Sequence, residues 1–501
     1  MNQKSKASFS KVVLPPMPWY PVSDPISGKL PLIAVGRLND ASGSFSKKYY
    51  NLVKDAGLNI VQNGLYSFGH IKQSFLNAKE SGVKFFVRFG CPNVKVSDYS
   101  FNPPTAAAME ELSKCNPEAS IWTETYDNWT SALSQLLDYR EECLANGEMD
   151  PLDLIAGYMI VDEPNAGQMW ALSKISHIIW DIFMRKGRLS KLPFVFGNLY
   201  PNISGGPSSS AESSALLRYS GGLNKATNYL DGYEVINSYE DYINLYSSLI
   251  NPPLLSFDAY PFRQDVSDSK DSMTSFFKSL LSFEKIKKEK GLNFWSTILC
   301  CRVISTDGKR DHGIPTVGRM NFAAFVSLLY GAKGLTFWPF VLPDDNENEK
   351  YSDAPLTKSG DKTMIYSYLQ SVIPQIHRVE EIFLSSTIAL TAVTKTPPQT
   401  ELKDLPGIMV WTSANNFGAF ESLESDGLGF VVAHLYNSSY NYLAVVNMDA
   451  DKAQTGKFKF REVALEIMET NNWVKLTQEE VTGGKEIRFN SGSIQIFRYP
   501  R

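Results

Sequence analysis

Apolar residues alternate between two kinds of segment over most of this chain. Eight short apolar runs, each about the length of a buried strand, recur between residues 30 and 340. They cover residues 30–38, 58–64, 83–90, 154–164, 192–201, 254–262, 292–303 and 334–340. Strands buried on both faces lack the polar alternation of half-exposed strands, so runs of this kind predict a parallel sheet.

Between these runs, apolar residues return every three or four positions, as on one face of a helix. The predicted helices cover residues 44–57, 68–82, 125–147, 169–187, 238–250, 272–291, 315–334 and 361–383, the last with an expected kink at Pro374. Eight strands alternating with eight helices predict a (β/α)8 TIM barrel, of class α/β. A doubly wound open sheet is the runner-up, but no glycine-rich phosphate loop supports it.

The helical period vanishes after about residue 385. From there the chain has short alternating segments, among them GFVVAHLYN, YNYLAVVNM and SIQIFRYP, separated by turn residues. Such segments are typical of an all-β antiparallel sandwich. We therefore predict a barrel over residues 1–385 and a C-terminal β-sandwich with a structural role over residues 386–501.

Composition narrows the classes of partner. Of the 501 residues 43% are hydrophobic and 20% are charged, as in an ordinary globular protein. A formal net charge of −4 gives no electrostatic reason to expect a nucleic-acid partner. The five cysteines are odd in number and have no metal-ligand spacing. We therefore predict no metal and no cofactor, while the oligomeric state stays open.

No targeting or membrane segment is recognisable. The first residues, MNQKSKASFSKVV, lack the apolar core of a signal peptide, and no run of eighteen apolar residues occurs. We expect no transmembrane segment. An exported location, periplasmic or at the cell surface, is favoured if a leader was removed, and a cytoplasmic location otherwise.

The fourth predicted strand ends on two adjacent acids. In IAGYMIVDEP the apolar part stops at Asp162 and Glu163. Burying unpaired charge is costly, whereas the carboxyl ends of barrel strands are where catalytic groups lie. The pair therefore predicts an active site, with an acidic turn or a helix N-cap as the alternative. Successive strand side chains point oppositely, so we expect one acid to face substrate and the other to pack sideways or pair with Arg88.

Other strand ends add polar and aromatic side chains to the same predicted rim. They are Asn63 on strand two, Arg88 on strand three, Asn198 and Tyr200 on strand five, Asp258 and Tyr260 on strand six, Cys300 to Arg302 on strand seven, and Trp338 on strand eight. Hydrogen-bonding groups beside aromatic planes are typical of a sugar-binding cleft. Glycoside hydrolysis needs a protonated carboxyl for the leaving oxygen and a second carboxylate as nucleophile or base. Glu163 suits the acid role, because an apolar, aromatic-walled cleft raises the pKa of a glutamate.

Other candidate groups favour structural interpretations. Cys300 and Cys301 are expected to be core residues and not nucleophiles. His70 and His312 are expected to be polar surface groups. The acidic run DDNENEK at residues 344–350 could rim the cleft or bind a cation, and a solvated loop is favoured because the spacing of a calcium loop is absent.

Three segments together resemble (β/α)8 glycoside hydrolases of the cellulase and β-galactosidase superfamily. They are DEP at strand four, SFDAYPF at strand six and GAKGLTFWPF at strand eight. The resemblance implies that Glu163 is the acid/base, with Asp162 standing where the family usually has asparagine. It also implies that Trp338 lies under a sugar ring, and that the substrate is a β-linked oligosaccharide or polysaccharide.

The resemblance is broken at strand seven. The family nucleophile is a glutamate ending that strand, and NFWSTILCCRV contains no acid. One explanation is that Asp258 is the second carboxylate, its greater separation from Glu163 favouring inversion. Another is that Asp307 or Asp311 folds back into the cleft, and a third is that the protein binds carbohydrate without hydrolysing it. We take Glu163 and Asp258 as provisional catalytic residues. The predicted sugar contacts are Asp162, Tyr260, Trp338, Asn198, Tyr200, Arg88 and Asn63.

Overall fold

The computed structural model describes most of the barrel and nearly all of the C-terminal region. The described residues are 28–36, 46–62, 68–87, 120–163, 176, 179–185, 195–202, 239–250, 252–264, 269–395, 405–412, 418–461 and 464–501.

Eight parallel strands close into a barrel. In chain order the first nine strands are β1 (Leu32–Val35), β2 (Ile60–Gln62), β3 (Lys84–Val87), β4 (Ile155–Asp162), β5 (Val195–Leu199), β6 (Leu254–Asp258), β7 (Asn293–Leu299), β8 (Arg302–Ser305) and β9 (Leu335–Trp338), and all but β8 belong to the barrel. β9 closes the barrel by pairing in parallel with both β7 and β1. The fold class predicted from the alternating pattern is confirmed.

Helices pack around the barrel strands. They are α1 (Lys47–Asp55), α2 (Phe68–Ser81), α3 (Ser120–Ala145), α4 (Tyr239–Ile250), α5 (Ser269–Lys290), α6 (Val317–Leu329) and α7 (Met364–Ser385), with further helical residues at 179–185. The hydroxyls of Ser46, Thr316 and Thr363 accept hydrogen bonds from first-turn N–H groups and so cap α1, α6 and α7. Within the described ranges, no helix has the length and apolar character needed to cross a membrane.

The barrel sheet carries an apolar core on each of its two faces. Residues inside the barrel form a buried cluster of Ile33, Ile60, Phe86, Ala156, Met159, Phe196, Leu254 and Trp295. A larger core lies between the strands and the helices. A Cβ added to Gly334 would lie 2.5 Å from Cδ1 of Trp295, so the start of β9 needs glycine to fit against the interior tryptophan.

The interior cluster defines which strand-end side chains face the mouth of the barrel. On β6, Leu254 lies inside while Leu255 and Phe257 face the helices. Asp258 therefore shares the interior face with Leu254, because strand side chains alternate. On β5 the same alternation from interior Phe196 turns Asn198 inward.

β4 departs from regular alternation just before the two acids. Met159 pairs with Phe196 and Val161 pairs with Gly197, so two residues of β4 advance against one of β5. Such a β-bulge turns the side chains that follow it to the opposite face. Uninterrupted alternation from interior Met159 would turn Asp162 outward, and the bulge turns it inward.

A two-stranded antiparallel sheet follows the seventh barrel strand. β8 pairs with β10 (Glu349–Ser352), with Glu349 opposite Ser305 and Tyr351 opposite Val303. The sequence pattern predicts that strand seven continues through Val303 and that residues 344–350 form a solvated loop. In the structure β7 ends at Leu299, and β10 begins at Glu349 inside that run. The difference arises because β8 and β10, which are distant in sequence, pair with each other.

The C-terminal region forms two antiparallel sheets. Its elements are β11 (Thr387–Val393), β12 (Phe420–Ser425), β13 (Phe430–Tyr436), β14 (Tyr440–Asn447), β15 (Gln454–Phe460), β16 (Glu466–Glu469), β17 (Asn472–Lys475), α8 (Gln478–Gly483), β18 (Lys485–Phe489) and β19 (Ile494–Pro500). One sheet has the order β11-β13-β14-β19-β16-β17 and the other β12-β15-β18. Apolar side chains from both sheets share one core, as in the predicted β-sandwich. The exact division of the chain at residue 385 stays a prediction.

The sandwich packs directly against α6 of the barrel. Oγ1 of Thr391 donates a hydrogen bond to the carbonyl oxygen of Leu329 at 2.8 Å. A Cβ added to Gly318 would lie 2.1 Å from the carbonyl oxygen of Ala450. The two parts of the chain therefore meet so closely that a side chain at Gly318 has no room.

Candidate active site

One amide bridges two acids at the mouth of the barrel. Nδ2 of Asn198 donates to Oδ1 of Asp162 at 3.1 Å and to Oδ1 of Asp258 at 3.1 Å. The amide oxygen of Asn198 accepts from the hydroxyl of Ser256 at 2.9 Å, so the amide orientation is held from the other side. Because Oδ1 of Asp162 and Oδ1 of Asp258 share this one donor nitrogen, the two carboxylates lie close to each other. The structure thus brings together three of the residues predicted from strands four, five and six.

Glu163 follows Asp162 in a left-handed backbone conformation, with φ of 47°. This conformation costs a residue with a β-carbon about 1–2 kcal/mol. The backbone N–H of Glu163 donates to the carbonyl oxygen of Asn198 at 2.7 Å, which holds the turn. Because of the bulge in β4 and this turn, the side chains of Asp162 and Glu163 do not follow the alternation of a regular strand.

Burial, together with the crowding of negative charge, raises the pKa values of two of these acids. Burial raises the pKa of Glu163 well above its ordinary value, and the charges of Asp258, Asp162 and Glu349 raise it further, whereas Arg310 lowers it. Burial first and Asp162 second raise the pKa of Asp258 from 3.8 to about 7, against hydrogen bonds from Tyr260 and Asn198. A site of this kind retains a proton at neutral pH.

Aromatic rings line one side of the acid cluster. Tyr260 and Trp338 are stacked, with centroids 6.1 Å apart and planes 8° from parallel. His312 meets the edge of Tyr260 at 5.5 Å, and Tyr351 meets Trp338 at 6.0 Å and 83°. Nδ1 of His312 lies 3.0 Å from the carbonyl oxygen of Phe262, so this histidine is part of the wall and not a free surface group. Flat apolar faces beside carboxylates suit a sugar ring.

Of the remaining predicted sugar contacts, only Tyr200 lies in the described part of the chain. Tyr200 packs its ring against the core between strands and helices, and its carbonyl oxygen accepts from the hydroxyl of Tyr239 on α4. Asn63 and Arg88 lie outside the described residues. Sugar binding by these three residues stays a prediction.

The acids that follow strand seven have partners in their own loop. Asp311 accepts from Nε and Nη2 of Arg302 at 3.1 and 2.6 Å, and this hydrogen-bonded guanidinium lowers the pKa of Asp311. Asp307 has a side chain 54% exposed and accepts from the hydroxyl of Ser305 at 2.6 Å. Both arrangements stabilise the turn after β8.

The two cysteines after β7 are buried, and burial raises the pKa of both thiols. Cys300 belongs to the core outside the barrel, and Cys301 packs with Val303 and Ala354 beside Leu299 and Trp338. Among the described residues, no group of three or more His, Cys, Asp or Glu side chains is arranged to hold a metal ion.

One acid near Glu163 was missed by the sequence reasoning. Glu349 pairs with Arg310 and accepts a hydrogen bond from the hydroxyl of Tyr351. The acidic run 344–350 contains Glu349, and a solvated loop was the favoured interpretation. The signal for a strand is the spacing of Glu349 and Tyr351, which lie on one face when this segment is extended.

Comparisons with known proteins find similarity to solved structures only. No protein-family model and no curated protein matches the sequence. A catalytic mutant of Gan42B, a GH42 β-galactosidase from G. stearothermophilus, gives a TM-score of 0.48 at 8% identity over 94% of this chain and 98% of that chain. A family 1 β-glucosidase from Thermotoga maritima gives 0.38 at 11% identity over 65% of this chain and 84% of that chain. A β-galactosidase from the psychrophilic Marinomonas ef1 gives 0.39 at 8% identity over 70% and 60%.

The structural neighbours are thus glycoside hydrolases of families GH42 and GH1. All three TM-scores are below 0.5. These likenesses concern the fold, and any function must follow from the residues of the site.

Proposed function

We propose that the chain is a glycoside hydrolase that cleaves a β-linked oligosaccharide or polysaccharide, with Glu163 as the general acid. The observation that carries this proposal is the crowding of Glu163, Asp162 and Asp258 at the mouth of the barrel, beside the stacked rings of Tyr260 and Trp338. Glycosidic cleavage requires a proton donor and a second carboxylate, and aromatic planes beside them bind sugar rings.

Protonation of Glu163 follows from its surroundings. Burial and the neighbouring carboxylates favour the neutral carboxyl of Glu163 at a pH where an exposed glutamate is ionised. As the glycosidic bond lengthens, negative charge grows on the leaving oxygen and Glu163 passes its proton to that atom. General acid catalysis of this kind accelerates a reaction by about 10²–10⁴-fold.

We assign substrate binding to the aromatic wall formed by Tyr260 and Trp338 and to the polar groups around it. The faces of Trp338 and Tyr260 provide apolar planes for sugar rings, while Asn198 and Asp162 offer hydrogen bonds to hydroxyls. Tyr200, Arg88 and Asn63 are further proposed contacts. Asp258 is one candidate for the second carboxylate, and Glu349 is the other.

The test compares wild type with Glu163→Gln on aryl β-glycosides and β-linked oligosaccharides. Glutamine keeps the size of the side chain but cannot donate a carboxylic proton, so kcat/KM on oligosaccharides is expected to fall by at least about 100-fold. Calorimetric titration of the same oligosaccharides reports binding separately. Glu80→Gln is the matched control, since this exposed glutamate on α2 pairs with Lys47.

Three results decide the proposal. Loss of turnover in Glu163→Gln with binding retained supports it. Binding without turnover by the wild type would indicate a carbohydrate-binding barrel that lacks hydrolytic activity. Turnover that survives in Glu163→Gln would remove Glu163 from the acid role.

A further inference from the structure

The seventh barrel strand ends on an apolar residue. The last residue of β7, Leu299, pairs with Trp338 of β9 and packs in an apolar cluster with Trp338 and Tyr351. A hydrolase site at this mouth therefore has no carboxylate on β7 to oppose Glu163. Any second carboxylate on this side must come from another element.

The β8–β10 hairpin stands on that side of the barrel. β8 begins three residues after Leu299, and its pairing with β10 places Val303 opposite Tyr351. Val303 and Tyr351 both join the apolar cluster at the end of β7. Since strand side chains alternate, Glu349 shares the face of β10 that carries Tyr351 and so faces the mouth.

A continuous set of contacts connects Glu349 with the acid cluster. The hydroxyl of Tyr351 donates to Glu349, and the Tyr351 ring meets Trp338 at 6.0 Å. Trp338 in turn stacks on Tyr260 at 6.1 Å, whose hydroxyl hydrogen-bonds to Asp258. Glu349 thus lies at the far end of the aromatic wall from the aspartates.

Glu349 has two polar partners that fix its position. Arg310 forms an ion pair with it, and Tyr351 donates a hydrogen bond to the same carboxylate. The Glu349 side chain is 23% exposed, so a substrate or a water molecule can reach it. A nucleophile or a general base must be held in place and be accessible, and the contacts and exposure of Glu349 meet both requirements.

Asp258 is less suited to that role. Its carboxylate already accepts hydrogen bonds from Asn198 and Tyr260, and it lies beside the charge of Asp162. The pKa of Asp258 is raised to about 7, which leaves much of it protonated at neutral pH. Where Asp258 is ionised, its charge raises the pKa of Glu163.

We propose that Glu349 is the second catalytic carboxylate, supplied to the barrel mouth by the β8–β10 hairpin. This inference rests on the proposed glycoside hydrolase function. As the anomeric C–O bond breaks, its electron pair passes to the leaving oxygen, which takes the proton of Glu163. The Glu349 carboxylate either bonds to the anomeric carbon, until water displaces it and returns a proton to Glu163, or takes the proton of a water molecule that adds directly. A separation of the two carboxyl groups of about 5–5.5 Å gives the first route, and about 6.5–9.5 Å the second.

Chemical rescue tests this assignment. Glu349→Ala is assayed on a 2,4-dinitrophenyl β-glycoside, whose leaving group needs no proton, with and without sodium azide. We expect kcat to fall by at least about 100-fold. Azide then occupies the space of the carboxylate and attacks the anomeric carbon, so turnover returns and the product is a glycosyl azide of the opposite anomeric configuration. Glu347→Ala is the matched control, an exposed glutamate two residues away in the same run.

The other outcomes overturn the proposal in distinguishable ways. Turnover by Glu349→Ala close to that of Glu347→Ala overturns this inference and leaves the proposed function intact. Loss of turnover that azide does not restore, accompanied by a lower melting temperature, assigns Glu349 to holding the hairpin through Arg310. Azide rescue of Asp258→Ala in place of Glu349→Ala returns the role to Asp258. Absence of turnover by the wild type overturns the proposed function and, with it, this inference.

Discussion

Replacing Asp258 by asparagine is expected to stabilise the folded protein at neutral and alkaline pH. In the folded state the pKa of Asp258 is about 7, against 3.8 for an unperturbed aspartate. The folded protein therefore holds this proton more tightly than the unfolded chain does. Stability is lost as pH rises from about 4 to about 7, because the carboxylate must ionise in a crowded, half-buried position.

The size of this effect follows from the shift. At about 1.36 kcal/mol per pKa unit, raising the pKa of Asp258 from 3.8 to about 7 amounts to roughly 4 kcal/mol at pH 8. Asn198 and Tyr260 can still donate to the amide oxygen of an asparagine. Asp258→Asn should therefore recover on the order of 2–4 kcal/mol of unfolding free energy at pH 8 and almost none near pH 4.

Urea unfolding of wild type and Asp258→Asn at pH 4, 6 and 8 measures the difference. Asp55→Asn on α1 is the control, since that side chain is 56% exposed and lies 3.8 Å from Lys362. A surface pair of this kind contributes less than about 1 kcal/mol. An Asp258→Asn variant that is less stable than wild type at pH 8, or whose advantage is the same at every pH, would refute the raised pKa of Asp258 as the cause.

Three further predictions concern the acid, the aromatic wall and the sandwich interface. Activity should fall as pH rises through the raised pKa of Glu163. Asp162→Asn removes one of the charges that raise this pKa, so it should move the alkaline limb of the kcat/KM profile to lower pH, and an unmoved limb would contradict the coupling. Trp338→Ala should raise KM about tenfold in steady-state kinetics, corresponding to about 1.4 kcal/mol of lost binding. Gly318→Ala should lower stability by about 1–3 kcal/mol in calorimetry, since its Cβ would lie 2.1 Å from the carbonyl oxygen of Ala450.

The barrel was predictable because its signal is local. Each apolar run, such as residues 254–262, contains enough consecutive buried positions to mark a strand, and β6 lies within it at Leu254–Asp258. Because side chains alternate along a strand, the same run also predicts that Asp258 shares the inward face with Leu254. Asp162 and Asp258 are accordingly the last residues of β4 and β6.

The rest of the site depends on contacts that the local pattern does not contain. The orientation of Asp162 depends on a bulge that is defined by the pairing of β4 with β5. The position of Glu349 depends on a hairpin whose ion pair joins residues 39 apart in the chain. In isolation an acidic segment such as DDNENEK favours solvent, and only pairing with β8 turns one of its acids toward the mouth.

The dependence of the Glu163 effect on the leaving group tests the central claim most directly. Rates of wild type and Glu163→Gln are compared on a β-linked disaccharide, whose leaving oxygen needs a proton, and on the corresponding 2,4-dinitrophenyl β-glycoside, whose leaving group does not. A general acid at Glu163 predicts a loss of at least about 100-fold on the disaccharide and a loss smaller than tenfold in the bond-breaking step of the aryl glycoside. Equal losses on the two substrates, or no loss on either, would contradict the assignment of Glu163 as the proton donor.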